Sequence, residues 1–172
     1  MRTVTAVYGE MGKRAAGAPS PLDRPAHNEI LEAMLNEVLA SELVCVLRHR
    51  RYQFMTRDAM AGTAARLLAH AQVAQHHADR VAERILELGG SPRLDPNELG
   101  LRSYPRDATR HSLSGMIAED LQFLRTTMSS FTHMIRYVET ADSATARMLT
   151  SLVAAQSEHA RELGSLLDTL RA

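Results

Sequence analysis

The sequence lacks several features that define whole classes of protein. Its single cysteine, Cys45, can form neither an internal disulfide nor a thiolate metal site, so a reducing cytoplasm is the expected setting. No apolar run approaches the roughly 18 residues that are needed to cross a bilayer. The first 17 residues also lack the continuous apolar stretch of a secretory signal. We therefore expect a cytoplasmic protein with no membrane partner.

The chain has no excess of charge of either sign. Its 20 Lys and Arg side chains balance 20 Asp and Glu side chains, so no bulk electrostatic attraction to DNA is expected. The N-terminal segment has a net charge of about +2, from Arg2, Lys13, Arg14 and Arg24 against Glu10 and Asp23. There is no Gly-rich phosphate loop and no Ser/His/Asp order, which leaves nucleophilic catalysis without support.

Helical periodicity is the main feature that the sequence does have. Its 172 residues, 45% of them hydrophobic, suit one domain with a buried core. Residues 1–25 have no apolar stripe and are predicted to form a flexible N-terminal tail. Residues 26–172 carry apolar side chains at spacings of three and four, and no strand-like alternation competes. The predicted fold is all-α.

Four long helices follow from these stripes and from their end signals. Gly89 and Gly90 end the second helix because glycine tolerates the left-handed backbone of a helix end, and Asp142 or Ser143 is the expected N-cap of the fourth. The predicted ranges are about Asn28 to Met55, Ala61 to Leu88, Ala108 to Glu139, and Ser143 to the end of the chain.

The connections between the helices predict the topology. Short loops near Arg57 and Ala141 make two antiparallel hairpins, whereas residues 91–107, with three prolines, are too broken for a helix. A helix of about 28 residues is roughly 40 Å long, and about 17 extended residues can span that length. The pattern indicates an antiparallel four-helix bundle with one long crossover between the second and third helices.

Polar side chains interrupt the apolar stripes near the middle of the bundle. Glu42 and His49 lie in the first stripe, His77 in the second, and Gln156 with His159 in the fourth. The i, i+3 spacing of Gln156 and His159 lets one helix face offer two ligands to a metal ion. Glu42, His77, Gln156 and His159 are expected to converge at about mid-height in the bundle, with His49 below Glu42 on the same helix face.

Segments spread over Leu35 to Leu170 carry a family resemblance. They are residues 35–48, residues 76–85, the Leu-Gly-Gly end of the second helix, Asp120-Leu121 and Glu158-His159. Together they resemble bacterial proteins of the ferritin-like superfamily, on the bacterioferritin and Dps-like side. The resemblance implies a ferritin-like four-helix bundle with one long crossover, a di-iron centre that oxidises Fe(II), and a hollow shell of subunits that stores the ferric mineral.

The ligand set that this resemblance implies is incomplete. Glu42, His77 and His159 match family ligands. The family has Glu at three positions that here are Ala74, Leu124 and Gln156. Two irons would bring at least four positive charges into a buried site, and one carboxylate cannot offset them. A standard di-iron centre is therefore not expected.

Three interpretations of this centre remain open. Glu42, His49, His77, Gln156 and His159 suit one Fe or Zn ion per subunit, because imidazole and carboxylate bind such metals. The same groups can instead form a metal-free hydrogen-bonded network, and a working di-iron ferroxidase is the third interpretation. The corresponding functions are iron binding, storage or detoxification with a weak or inactive ferroxidase site, a non-catalytic structural or interaction subunit, and a Dps-like DNA-protecting protein.

The sequence also gives expectations for the remaining histidines, for haem binding and for the oligomeric state. Four histidines fall off the core stripes and are expected at the surface, namely His70, His76, His111 and His133. Gln75 stands where the family's haem-ligating Met is expected, so no haem is predicted. The fourth helix ends at Ala172, 13 residues after His159, which leaves no room for a fifth helix and favours a homo-oligomer that is a dimer or a dodecamer.

Overall fold

The computed structural model describes residues 24–58, 60–97, 99 and 112–171. These residues form four helices, α1 (Arg24–Thr56), α2 (Ala61–Glu87), α3 (Leu113–Val138) and α4 (Ser143–Arg171). Within the described ranges there is no strand, and the predicted all-α four-helix bundle is confirmed. None of the four helices, over the residues described, is apolar enough along its length to cross a membrane.

The first helix starts earlier than predicted. It begins at Arg24 rather than at Asn28. Pro25 is compatible with this start because the first turn of a helix needs no backbone N–H donors. Residues 1–23, the rest of the expected tail, lie outside the described part of the chain.

The third helix starts later than predicted. It begins at Leu113 rather than near Ala108. The hydroxyl of Ser112 accepts a hydrogen bond from the backbone N–H of Gly115 at 3.2 Å, and this N-cap satisfies one of the donors that a helix start leaves without a partner. The side-chain chemistry of Ser112 thus sets the boundary.

The predicted end signals of α2 and α4 lie where expected. Gly89 has a φ of 82°, a left-handed conformation that glycine adopts at little cost, and it ends α2 as predicted. Asp142 is the N-cap of α4, since its Oδ1 accepts the backbone N–H of Thr145 at 3.0 Å. Its Oδ2 accepts a hydrogen bond from Arg84 Nη2 at 2.7 Å, which ties α2 to the start of α4.

Side-chain contacts between the helices establish their directions. Tyr52, late in α1, donates a hydrogen bond to the carbonyl oxygen of Met116, early in α3, at 3.2 Å. Leu31, early in α1, shares a core cluster with Val138 at the end of α3, so these two helices are antiparallel. Since α1 and α2 form a hairpin, α2 and α3 are parallel, and the segment between them must return along the bundle. Residues 100–111 of this crossover lie outside the described residues.

The core consists of two apolar clusters with a polar belt between them. The first cluster includes Leu35, Val81, Ile85, Phe131 and Leu152. The second includes Tyr52, Leu67, Ile117, Leu124 and Leu163. The belt is formed by buried polar side chains from all four helices, namely Glu42, His49, His77, Asp120, Thr127, Gln156 and His159. Burying so many polar groups is costly unless each has a partner. The belt is therefore the candidate functional site of the interior.

Candidate metal centre

Glu42 on α1 is the carboxylate at the middle of the belt, and it is only 1% exposed. Gln156 Nε2 on α4 donates a hydrogen bond to Glu42 Oε1 at 2.5 Å. His77 Nδ1 on α2 lies 3.4 Å from Glu42 Oε2. The hydroxyl of Thr127 on α3 donates to Gln156 Oε1 at 3.4 Å. Three of the predicted site residues therefore meet directly, and α3 adds a threonine to them.

Asp120 on α3 is a second carboxylate in the belt and is fully buried. Its Oδ2 lies 2.8 Å from His49 Nε2, and its Oδ1 accepts a hydrogen bond from Arg48 Nη1 at 3.3 Å. The Arg48 guanidinium also lies over the Phe123 ring, 4.6 Å from its centroid, a favourable cation–π contact. Asp120 stands one helical turn before Leu124, the position at which a helix-C carboxylate was expected and not found.

Three imidazole rings form a row beside these carboxylates. The His49 and His159 rings meet edge to face with their centroids 4.3 Å apart. The His70 and His159 rings are stacked at 3.6 Å with an interplanar angle of 14°. His70 Nε2 lies 3.0 Å from Glu162 Oε2. The row therefore runs from Asp120 in the interior to Glu162, whose side chain is 39% exposed.

Two nitrogen atoms of this row have no hydrogen-bond partner among the described residues, Nδ1 of His49 and Nε2 of His159. Burial, with His49 and His70 beside it, lowers the pKa of His159 to about 2, so this ring is neutral at pH 7. The tautomer of His49 that donates from Nε2 to Asp120 leaves a lone pair on Nδ1. Buried nitrogen atoms without a partner are rare, and a lone pair of this kind suits a metal ion.

A cavity of about 30 Å³ lies among these side chains. Its lining includes the five predicted site residues, together with His70, Cys45, Val73, Ala74, Leu124 and Ala155. A space of this size holds a water molecule or a small ion. The Cys45 thiol adjoins it, and burial together with the charges of Glu42 and Asp120 raises the pKa of this thiol, which disfavours a free thiolate.

The ferritin-like domain family matches residues 32–172. The chain belongs to this family. Among solved structures, the bacterioferritin of Desulfovibrio desulfuricans, described with its diiron site in different catalytic states, is 20% identical with a TM-score of 0.76, over 91% of this chain and 85% of that one. The dodecameric thioferritin of Bacteroides fragilis, a bacterioferritin-related protein, is 23% identical with a TM-score of 0.73, over 84% of this chain and 88% of that one. No curated protein sequence matches the chain significantly.

The five predicted site residues of this ferritin-like chain are all buried, and all five line one cavity. They lie at two levels, with Glu42, His77 and Gln156 in mutual contact and His49 beside His159.

Sequence reasoning missed two residues of the site. Asp120 was used as part of the family resemblance and was not counted among the ligands, although a buried carboxylate almost always has a charged partner. His70 was expected at the surface, and that expectation is wrong because His70 lines the cavity. It precedes His77 by seven residues, about two helical turns, and this spacing would have placed it on the same face. His76 and His133 are exposed as expected, and His111 lies outside the described residues.

The donor set is better suited to one divalent ion than to two. Ala74 and Leu124 line the cavity, so apolar side chains occupy two of the positions where the resemblance implied carboxylates. Among the described residues, His49, Asp120 and His159 bring ligand atoms within 4.8 Å of one another, and Glu42 lines the same cavity as the two histidines. Such a set suits a single ion of the kind that binds imidazole and carboxylate. Two ions in the same space would leave several positive charges without compensation.

Proposed function

We propose that this protein is an iron-handling member of the ferritin-like family that binds one divalent metal ion per subunit and oxidises Fe(II) weakly or not at all. Glu42, His49, His77, Gln156 and His159 hold the ion in the cavity. Fe(II) is the ion that the family context favours, and Zn²⁺ suits the same ligand types. Bound there, a divalent ion acts as a Lewis acid, and the protein supplies the ligands and the dry surroundings.

The observation that carries the proposal is the pair of buried, unpartnered nitrogen atoms, His49 Nδ1 and His159 Nε2, on rings that line the same cavity as Glu42. Leaving a buried polar group unsatisfied costs about 1–3 kcal/mol. A metal ion removes this cost for both rings at once. A neutral His159 is also ready to bind without first losing a proton.

Asp120 supports the metal site from outside the ligand set. A ligating histidine usually donates its other ring N–H to a carboxylate, which fixes the tautomer and the orientation of the ring. Asp120 has this relation to His49, at 2.8 Å. Arg48, at 3.3 Å, compensates the charge of Asp120, so this carboxylate does not add a further negative charge for a second metal ion.

Assembly into a homo-oligomer belongs to the same proposal. The Bacteroides fragilis protein is dodecameric, which supports a homo-oligomer for this chain as well. Storage of a ferric mineral requires a closed shell, whereas binding of one ion per subunit does not. The oligomeric state therefore separates storage from simple binding or detoxification.

A non-catalytic structural subunit is the second candidate, and one observation favours it. Both oxygens of Glu42 already have neighbours, Gln156 Nε2 at 2.5 Å and His77 Nδ1 at 3.4 Å. This contact satisfies the carboxylate without an ion. The two candidates differ in what the free nitrogens of His49 and His159 contact in the cavity, a metal ion in the first and no metal ion in the second.

The experiment is a metal titration of chelator-treated protein with Fe(II) under anaerobic conditions, followed by exposure to oxygen. We expect one ion per subunit, little Fe(II) oxidation above buffer, and loss of binding in the Glu42→Ala and His159→Ala variants. His133→Ala is the matched control because His133 is exposed on α3. Equal metal content in wild type and Glu42→Ala would refute the interior site, and two ions with fast oxidation would restore the ferroxidase interpretation.

A further inference from the structure

The cavity approaches the surface between α2 and α4. Val73 on α2 lines the cavity and is 46% exposed, so this wall is in contact with solvent. Ala74 and Ala155, on the same two helices, also line it, and their small side chains leave the groove unfilled. The opposite wall contains Leu124 and Cys45, both of which are buried. An ion can therefore reach Glu42 more readily through the groove between α2 and α4 than through the rest of the described wall.

His70 and Glu162 lie beside this groove and are graded in exposure. The Glu162 side chain is 39% exposed, the His70 side chain is 16% exposed, and their atoms Oε2 and Nε2 are 3.0 Å apart. The His70 ring stacks on the His159 ring with their centroids 3.6 Å apart. Nε2 of His159 is buried and has no hydrogen-bond partner among the described residues. A carboxylate at the surface, a half-buried imidazole and a buried imidazole thus follow one another, each in contact with the next.

We propose that Glu162 and His70 form the entry port of the metal site, where a divalent cation binds transiently before it moves to His159 and the interior ligands. This inference rests on the proposed function, because it needs a metal site to deliver to. Glu162 attracts the cation through its negative charge. His70 then replaces part of the hydration shell with a ring nitrogen, and its contact with His159 shortens the next step to one between adjacent rings.

The chemistry of the neighbouring groups agrees with this role. Both groups of the port carry atoms that bind divalent cations, a carboxylate oxygen on Glu162 and ring nitrogens on His70. The ring of His70 lies against that of His159, so the next nitrogen donor is in contact with the port. Along the row from Glu162 through His70 to His159, protein ligands replace the water molecules around the ion one after another. The ion therefore does not lose its whole hydration shell in a single costly step.

A port residue has a kinetic signature that differs from that of a ligand. Because the port is empty at equilibrium, its removal slows entry and exit by the same factor and leaves the Kd unchanged. Removal of a ligand raises the Kd, and removal of a surface residue with no role changes neither rate. The comparison of rates with Kd therefore assigns the role.

The experiment follows Co²⁺ uptake by the full-length, metal-free protein in a stopped-flow spectrometer, with Co²⁺ release into a chelator as the second measurement. His70→Phe keeps a flat ring against His159 without nitrogen donors, and Glu162→Gln keeps the hydrogen-bonding shape without the charge. His76→Phe and Glu158→Gln are matched controls, since His76 and Glu158 are exposed on the same two helices. Thermal unfolding of each variant verifies that the bundle is intact.

We expect His70→Phe to slow both uptake and release about tenfold, with one Co²⁺ per subunit and the Kd within about twofold of wild type. Glu162→Gln should slow uptake several-fold and weaken its dependence on ionic strength, and the controls should behave as wild type. Wild-type rates in both port variants would overturn the entry port while leaving the metal site intact, as would a raised Kd with unchanged uptake. Failure of the wild type to bind Co²⁺ at all would overturn the proposed function and the port with it.

Discussion

Asp120→Asn is the substitution that tests the logic of the centre most directly. It keeps the shape of a side chain that is fully buried on α3 and removes its negative charge. Two contacts depend on that charge, the 2.8 Å contact with His49 Nε2 and the 3.3 Å hydrogen bond from Arg48 Nη1. Asparagine can also point its amide N–H toward Nε2 of His49. That nitrogen would then have to accept the hydrogen bond, so the ring proton would move to Nδ1.

The size of the effect follows from the burial of the three groups. Removing one partner of a buried ion pair costs about 3–5 kcal/mol, and we expect the lower end because Asn retains hydrogen-bonding capacity and Arg48 keeps its contact with Phe123. For a chain of 172 residues, about 3 kcal/mol corresponds to a fall in Tm of roughly 6–12 °C. Loss of the carboxylate that orients a ligating histidine weakens metal affinity by about 10–100-fold.

The assay combines thermal unfolding of the metal-free protein, by circular dichroism, with a Co²⁺ titration at a temperature where both proteins are folded. Asp79→Asn is the control for the chemical change, since Asp79 is exposed on α2. Ile85→Val is the control for lost stability, because Ile85 is fully buried in the first apolar cluster, away from the polar belt. It should lower Tm by an amount equivalent to about 1 kcal/mol and leave the Kd for Co²⁺ unchanged.

Two different outcomes of the Tm and Kd measurements would contradict the proposed role of Asp120. An unchanged Tm would mean that the contacts of Asp120 do not stabilise the fold. A lowered Tm with an unchanged Kd for Co²⁺ would mean that His49 is not a ligand, or that Asp120 does not orient it. Only a fall in both stability and affinity, with neither control affecting affinity, agrees with the proposed role.

Three further predictions follow from the polar belt and the helix ends. Gln156→Glu places a second carboxylate beside Glu42, so the metal-free protein should have a lower Tm through like-charge repulsion while its affinity for Fe(II), measured by titration, rises about tenfold or more. The pKa of His159 is lowered in the folded state from 6.5 to about 2, so below pH 6.5 the unfolded chain binds a proton that the folded chain does not. The free energy of unfolding should therefore fall as the pH falls below about 6.5, by up to about 1.4 kcal/mol per pH unit. Urea unfolding at pH 7 and pH 5 should show a smaller loss of stability for His159→Gln than for wild type. Asp142→Ala removes the N-cap of α4 and the contact with Arg84, and should cost about 1–2 kcal/mol in urea unfolding at pH 7, whereas Asp168→Ala on the exposed face of α4 should cost much less.

Much of the architecture was predictable because helical signals are local. The apolar spacing of three and four identified all four helices, and Gly89 and Asp142 marked two of their ends through backbone geometry and capping chemistry. The starts of α1 and α3 were predicted wrongly. At α1 the tail was extended to residue 25 because residues 1–25 have no apolar stripe, although Pro25 is compatible with a first turn, and at α3 the cap Ser112 was not recognised.

The candidate site was predictable only in part. Glu42, His77, Gln156 and His159 could be found because each is a polar residue within an apolar stripe, which is rare unless the interior uses it. His70 was not found, because the spacing of seven residues from His77 places it near the same face but only at the border of the stripe. The rotation of a helix about its own axis decides whether a border residue faces the core or solvent, and that rotation depends on the packing of all four helices.

The sequence by itself determined that there are four amphipathic helices, that their order and loops permit one long crossover, and that the middle of the bundle is polar. These properties follow from the periodicity of a single chain segment and from residue chemistry, so no tertiary contact is needed to infer them. The tertiary structure alone decided that Asp120 contacts His49, 71 residues away in the chain, and that His70 and Glu162 continue the row of imidazoles to the surface. Such contacts depend on distances of a few ångströms between side chains on different helices, and only the packing of the bundle sets those distances.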